Sequence, residues 1–164
     1  MTLDKNHISE LWDKITPKLY GYLVRTLGDK DLAQDILQTT WLKAMQSLPT
    51  FGNKGEVNFS AWLFAIARNE CKQHWRKGER EIPFDESLHD RTEISTKTQD
   101  KIFIEQILSQ LSKNDQELIK LRYISDLPLN NIAKILKINP VAVRVRMHRA
   151  LTEAKLILKN QYHV

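Results

Sequence analysis

Residues 127–149 read LPLNNIAKILKINPVAVRVRMHR, and their spacing decides the fold. Leu129, Ile132, Ala133, Leu136 and Ile138 recur at helical intervals, so residues 129–136 make a short amphipathic helix. Asn139 is of the residue type that caps a helix N-terminus. Pro140 suits the first helical position, where its missing N–H costs no hydrogen bond. A second helix therefore restarts about three residues after the first ends, which is the tight joint of a helix-turn-helix.

The second helix has two unlike sides. At about 100° per residue, Val143, Met147, Ala150, Leu151, Ala154, Ile157 and Leu158 share one face. Val141, Arg144, Val145, His148, Arg149 and Thr152 share the other. Arginines on the outward face of such a helix suit a DNA major groove, where they reach guanine edges or phosphates, and Val145 is placed to meet a thymine methyl. The same arginines would also be ordinary on a solvated bundle helix. The valines tip the reading towards DNA, because facing water they would be wasted apolar surface.

Working outward, the chain has 164 residues, enough for one medium domain or two small ones, and 41% of them are hydrophobic, enough for small packed cores. With five Gly, five Pro and few β-branched runs, the repeated helical periodicity predicts an all-α protein. The net charge of +5 suits a polyanionic partner. A single cysteine, Cys71, excludes internal disulfides and argues against a cysteine-based metal site. The opening MTLDKNHISELWDK has no apolar core of signal-peptide length, and no run approaches a membrane span, so a soluble cytoplasmic protein is expected.

Three helices are predicted in the first half. Ile8, Leu11, Ile15, Leu19, Leu23 and Leu27 carry the first, with Pro17 a kink or break point. Asp29 or Asp31 opens the second, carried by Leu32, Ile36, Leu37, Trp41, Ala44 and Met45 and ending near Pro49. Residues 50–59, TFGNKGEVNF, are expected to form a loop, after which Ser60 caps a third helix from Ala61 to about Lys77. The stretch from Glu79 to Asp100 carries seven acids against three bases and few large apolar residues, which predicts a flexible acidic linker. Beyond it a second lobe begins. Ile102, Ile104, Ile107, Leu108 and Leu111 mark one helix, and Ser112 with Asp115 caps the next, bearing Leu118, Ile119, Leu121 and Ile124. The fold expected is two small helical domains, 1–78 and 101–164, joined by residues 79–100.

The third helix carries a second nucleic-acid signal. Leu63, Phe64, Ala67, Cys71 and Trp75 fall on one side; Arg68, Asn69, Lys72, Gln73 and Arg76 gather on the other. Cations hold phosphates, and the nearby aromatics Phe51, Phe59 and Trp62 suit unstacked bases, although for Trp62, Phe64 and Trp75 a place in the core is the better-supported reading. Asp31, Gln34, Asp35 and Gln38 line the second helix at turn spacing. No third acid, histidine pair or glycine-rich phosphate loop accompanies them, so a polar docking face is expected rather than a catalytic or metal site. His7, His89 and His163 show no ligand spacing, and His74 and His148 read as surface or edge groups. No cofactor and no catalytic residue is expected.

With these pieces assembled, the chain resembles the extracytoplasmic-function (ECF) group of bacterial RNA polymerase sigma factors. The resemblance lies in three motifs in order: QDILQTTWLKAM at 34–45, AWLFAIARNECKQHWR at 61–76, and the promoter module of residues 108–149 with its AVRVRMHRAL helix. It implies an initiation factor, not an enzyme, that binds core RNA polymerase and promoter DNA and is commonly held by an anti-sigma factor, often membrane-anchored. It also implies that Asp35 and Gln38 face the polymerase. The loop around Asn53 and Asn58 would hold a flipped −10 base, with Arg68, Asn69, Lys72 and Arg76 on the adjoining strand. Arg144, Val145, Arg146, His148 and Arg149 would address the −35 element. Thr39 stands where the family usually has an acid, Val145 where a small polar residue is common, and Leu151 where arginine is frequent. A tether of residues 79–100 reaches roughly 70–80 Å fully extended, enough for promoter elements on the order of 60 Å apart at roughly 3.4 Å per base step. The rival readings are a stand-alone helix-turn-helix regulator, which would bind palindromes as a dimer, and a nuclease or recombinase, for which no nucleophile or carboxylate cluster is apparent.

Overall fold

A computed structural model of the chain describes residues 5–52, 54–81 and 99–162. These residues form helices α1 (Lys5–Leu27), α2 (Lys30–Phe51), α3 (Glu56–Glu81), α4 (Gln99–Ser109), α5 (Lys113–Tyr123), α6 (Leu129–Leu136) and α7 (Pro140–Tyr162), with no strand among them. The chain divides into two compact units, Met1–Thr92 and Glu93–Val164. The ends of the expected tether, 79–81 and 99–100, are helical; its remaining residues, 82–98, lie outside the described ones.

In the first unit α1, α2 and α3 pack on one another. The core is built from the expected stripe of α1, with Leu11, Ile15, Leu19 and Leu23 buried, together with Tyr22. From α2 it takes Ala33, Ile36, Leu37, Trp41 and Ala44. From α3 it takes Phe59, Leu63, Phe64, Ala67 and Cys71. The chain reverses between α1 and α2 at Gly28, whose φ of 69° is the left-handed region where a Cβ would be strained. Asp29 caps α2, its carboxylate accepting from the N–H groups of Asp31 and Leu32 at 2.9 and 3.0 Å. Aromatic rings tie the bundle together: Trp12 and Trp41 have centroids 4.4 Å apart, and Phe51 stacks on Trp62 at 4.7 Å. Trp41 also donates its indole N–H to the Thr16 hydroxyl at 3.1 Å, satisfying a polar group that burial would otherwise penalise.

Besides the helical ends of the tether, the first unit differs from the expected outline at Pro17, at the end of α2 and at the start of α3. α1 runs unbroken through Pro17, with Ile15 and Leu19 buried on either side of it. α2 does not end at Pro49 but continues to Phe51, because the Phe51 ring is buried against Phe59 (5.5 Å, edge-on) and Trp62. Tertiary burial there outweighs the hydrogen bond that proline removes. α3 starts at Glu56, so the loop is only residues 52–55 and Ser60 is an interior helical residue, not a cap. Glycines at φ 68° (Gly52) and 83° (Gly55) make so short a reversal feasible.

The second unit gathers α4, α5 and α6 onto α7. Ile107, Leu111, Leu118, Ile119, Leu121, Leu127, Ile132, Ala133, Ile135, Val143, Met147 and Ala150 form its apolar core, with Ser125 and Asn131 buried among the polar residues. Ile102 and Ile104 lie off that stripe and are exposed. Ser112 caps α5, its hydroxyl accepting from Asp115 N–H at 3.2 Å. The turn into α6 is pinned by Arg122, whose guanidinium donates to the Leu127 carbonyl at 3.1 Å.

Candidate nucleic-acid interface

The helix-turn-helix is built as its residue types dictate. α6 closes with Lys137 in the left-handed region (φ 56°). Ile138 N–H then reaches back to the Ala133 carbonyl at 3.1 Å, beside the Lys137 N–H that also donates there, which closes the helix. Asn139 next caps α7: its side-chain oxygen accepts from Val141 N–H at 2.7 Å, and its carbonyl accepts from Val143 N–H at 3.1 Å. Lys137, Ile138 and Asn139 are the whole connection, and Pro140 is the first helical residue.

α7 shows the expected division of faces. Val143, Met147 and Ala150 are buried, while Arg144, Val145, Arg146, His148, Arg149 and Thr152 are exposed. Val141, also outward, is exposed as well. The helix thus presents a cationic face with two valines near its start, anchored from behind by a face that has no polar residue in the core.

On α3, Arg68, Lys72 and Arg76 stand one turn apart along a single line, with Asn69 and Gln73 beside them. Asn69, Lys72 and Arg76 are exposed; Arg68 and Gln73 are half-buried. The last α3 residue in the core is Cys71, so Lys72 to Lys77 continue the helix past the buried stripe with every residue but Gln73 exposed. Trp75, expected on the buried side, belongs to this overhang and is 40% exposed.

The pocket expected for an unstacked base is altered by the early start of α3. Asn58 lies in the first turn of the helix rather than in a loop, exposed, its amide donating to the Lys54 carbonyl at 2.7 Å. Asn53 lies outside the described residues. Phe51 and Phe59 are core residues, not bases' stacking partners, and only Trp62 of that trio is partly exposed. The reason is register: with α3 helical from Glu56, Phe59 falls on the same line as Leu63, Ala67 and Cys71. Lys54, in this turn, holds its ammonium 5.9 Å from the Phe51 ring centroid.

α2 offers a third face. Gln34, Asp35 and Gln38 are exposed, and Leu42 (60%) and Met45 (44%) extend that face with apolar surface. Met45 was expected among the core-bearing positions. Leu42, outside the expected stripe, sits at about 100° per residue beside Asp35 and Gln38, opposite Leu37 and Ala44. Lys43 pairs with Glu70 of α3, and Lys14 of α1 with Glu56, so the helices that carry these faces are cross-tied at their margins. Among the described residues no group of His, Cys, Asp and Glu could hold a metal ion, and no helix is long and apolar enough to cross a membrane.

Comparison with known proteins places both units. Residues 11–81 match the family model described as Sigma-70 region 2, and residues 104–153 match that described as Sigma-70, region 4. The ECF RNA polymerase sigma factor SigL of Mycobacterium tuberculosis is 29% identical, over 91% of this chain and 87% of its own. The ECF RNA polymerase sigma factor BldN of Streptomyces coelicolor is 27% identical over 90% of this chain, which spans 59% of the length of BldN. Among solved structures, the sigma factor RpoE of Bartonella quintana, in complex with the anti-sigma factor NepR, superposes with a TM-score of 0.71 and 26% identity, covering 93% of this chain and 96% of that one.

Proposed function

The chain belongs to the sigma-70 family, in its ECF group, and from that membership we propose that it binds core RNA polymerase and directs it to particular promoters. The observation that carries this reading is the pairing of two helical units, each with an outward cationic helix, within the region 2 and region 4 matches. A stand-alone regulator needs only the second unit; the region 2 match and the sigma-factor relatives support an initiation factor over that alternative.

In this reading residues 1–78 are region 2, residues 79–100 the linker and residues 101–164 region 4. Asp35 and Gln38, with Leu42 and Met45 alongside, dock on the polymerase. Asn53 and Asn58 hold a flipped −10 base, and Arg68, Asn69, Lys72 and Arg76 bind the strand beside it. Arg144, Val145, Arg146, His148 and Arg149 address the −35 element. The chain performs no covalent step. Its contribution to strand opening is energetic, since holding an extruded base offsets the few kcal/mol of unpairing. It acts in the cytoplasm, and the complex of RpoE with NepR supports an anti-sigma factor as a further partner.

Run-off transcription from candidate promoter fragments tests the proposal. Core polymerase with the chain should give promoter-specific transcripts that core alone does not. A chain that fails to associate with core, and instead binds a palindromic duplex as a dimer, would overturn it.

A further inference from the structure

α7 leaves three large apolar side chains exposed: Val141 and Val145 in its first two turns, and Leu156 near its far end. Val141 is 57% exposed and Val145 is 44% exposed, while the apolar residues of the opposite face, Val143 and Met147, are taken up by the core. The exposed valines lie one helical turn apart, in the first two turns of the helix that the Asn139 cap initiates. Arg144, Arg146, His148 and Arg149 surround them, all exposed. A second copy of this face would set arginine against arginine, so the charge favours a polyanion as the occupant.

Valine has no donor or acceptor and cannot read hydrogen-bonding groups. The apolar group that a standard base pair presents in the major groove is the thymine C5-methyl. Valine is also stiff: in a helix its χ1 is held almost entirely to one rotamer, so its methyls are fixed in space before any DNA arrives. Residues one turn apart are separated by about 6 Å along the helix, at 1.5 Å per residue. Base steps rise roughly 3.4 Å. The two valines therefore meet base pairs one or two steps apart.

We propose that Val141 and Val145 act together as a reader of two thymine C5-methyl groups, one or two base steps apart in the −35 element and on either strand. The promoters favoured by this chain carry thymines at that spacing. The proposal rests on α7 being the −35 helix. It adds Val141 to the residues that set specificity and gives Val145 a partner.

The test uses holoenzyme reconstituted from core polymerase and the full chain, on a promoter fragment selected by that holoenzyme from a randomised −35 library. Each thymine of the selected element is replaced singly by 2′-deoxyuridine, which removes the methyl and keeps every hydrogen-bonding group. At two positions, one or two steps apart, binding is expected to fall about 4-fold each, the equivalent of about 0.8 kcal/mol for one buried carbon. Val141→Ala is expected to abolish the thymine-over-uracil preference at one of these positions and Val145→Ala at the other, with both exposed sites tolerating alanine without loss of fold. Uridine that is neutral at every position, while Arg149→Ala still weakens promoter binding, overturns the methyl reader and leaves the −35 assignment standing. A loss of core binding in the valine variants, with uridine neutral, makes the patch a protein contact and equally overturns the reader. Absence of any promoter-specific binding by the holoenzyme removes the reader and the −35 assignment together.

Discussion

Asn139 shows how much of a helix can hang on one side chain. It supplies the cap at the junction of the helix-turn-helix, with its oxygen 2.7 Å from Val141 N–H. Asn139→Ala is expected to cost about 1 kcal/mol, which in a unit of this size lowers the melting temperature by roughly 4–8 °C; circular dichroism on heating reads it. Arg149 is a residue of another kind, exposed and outside the core. Arg149→Ala is expected to leave melting unchanged and to cost about 1–3 kcal/mol at a single base pair, as loss of a bidentate guanine contact does. Competition binding across single-base promoter variants distinguishes this from a uniform loss, which would mark a phosphate contact instead. Asn139, Pro140 and the two-faced run after them were legible in the sequence because each acts locally. Phe51 and Phe59 were not, because what assigns them to the core is contact with each other and with Trp41 and Trp62 across two helices.

At the scale of the element, α3 departs furthest from its expected bounds, starting at Glu56 and ending at Glu81. Its 26 residues extend about 39 Å at 1.5 Å each, and its core stripe ends at Cys71. The chemistry of its outward side, with Arg68, Lys72 and Arg76 a turn apart, was plain from periodicity alone. Its start was obscured by Gly52 and Gly55, which suggested a longer loop than they make, and by Ser60, a good capping type that sits inside the helix. Lys72→Ala and Arg76→Ala are each expected to reduce the slope of log binding constant against log salt by about 0.7–0.9. A titration of holoenzyme binding between low and moderate salt measures it, and an unchanged slope would take the residue off the DNA face. α6 and α7, by contrast, begin where their sequence signals put them, since a proline, an asparagine and a three-residue turn leave the backbone few other choices.

At the scale of the molecule, the two units have chemically separate cores. The first is cemented by Trp41, Phe51, Phe59 and Phe64, while the second has no aromatic residue among the buried ones of its described residues. Phe59→Ala is therefore expected to destabilise the first unit by about 3–5 kcal/mol while leaving the second unchanged. Hydrogen exchange followed residue by residue checks this: protection should fall in α1 to α3 and persist in α5 to α7. Protection lost evenly throughout would mean that the two units unfold as one. The division into two was visible in the sequence as a change of composition from Glu79 onward, because an acidic stretch poor in large apolar residues lacks what a core needs.

The separation of duties on α7 has an evolutionary consequence. Burial there is supplied by Val143, Met147 and Ala150, and the proposed recognition by neighbours that lie outside the core. Exchanges among those neighbours fall in the class of surface changes that alter stability by no more than about 0.5 kcal/mol. A lineage can then rewrite its target vocabulary one letter at a time without ever passing through an unfolded ancestor, and an engineer can splice in foreign lettering on the same terms.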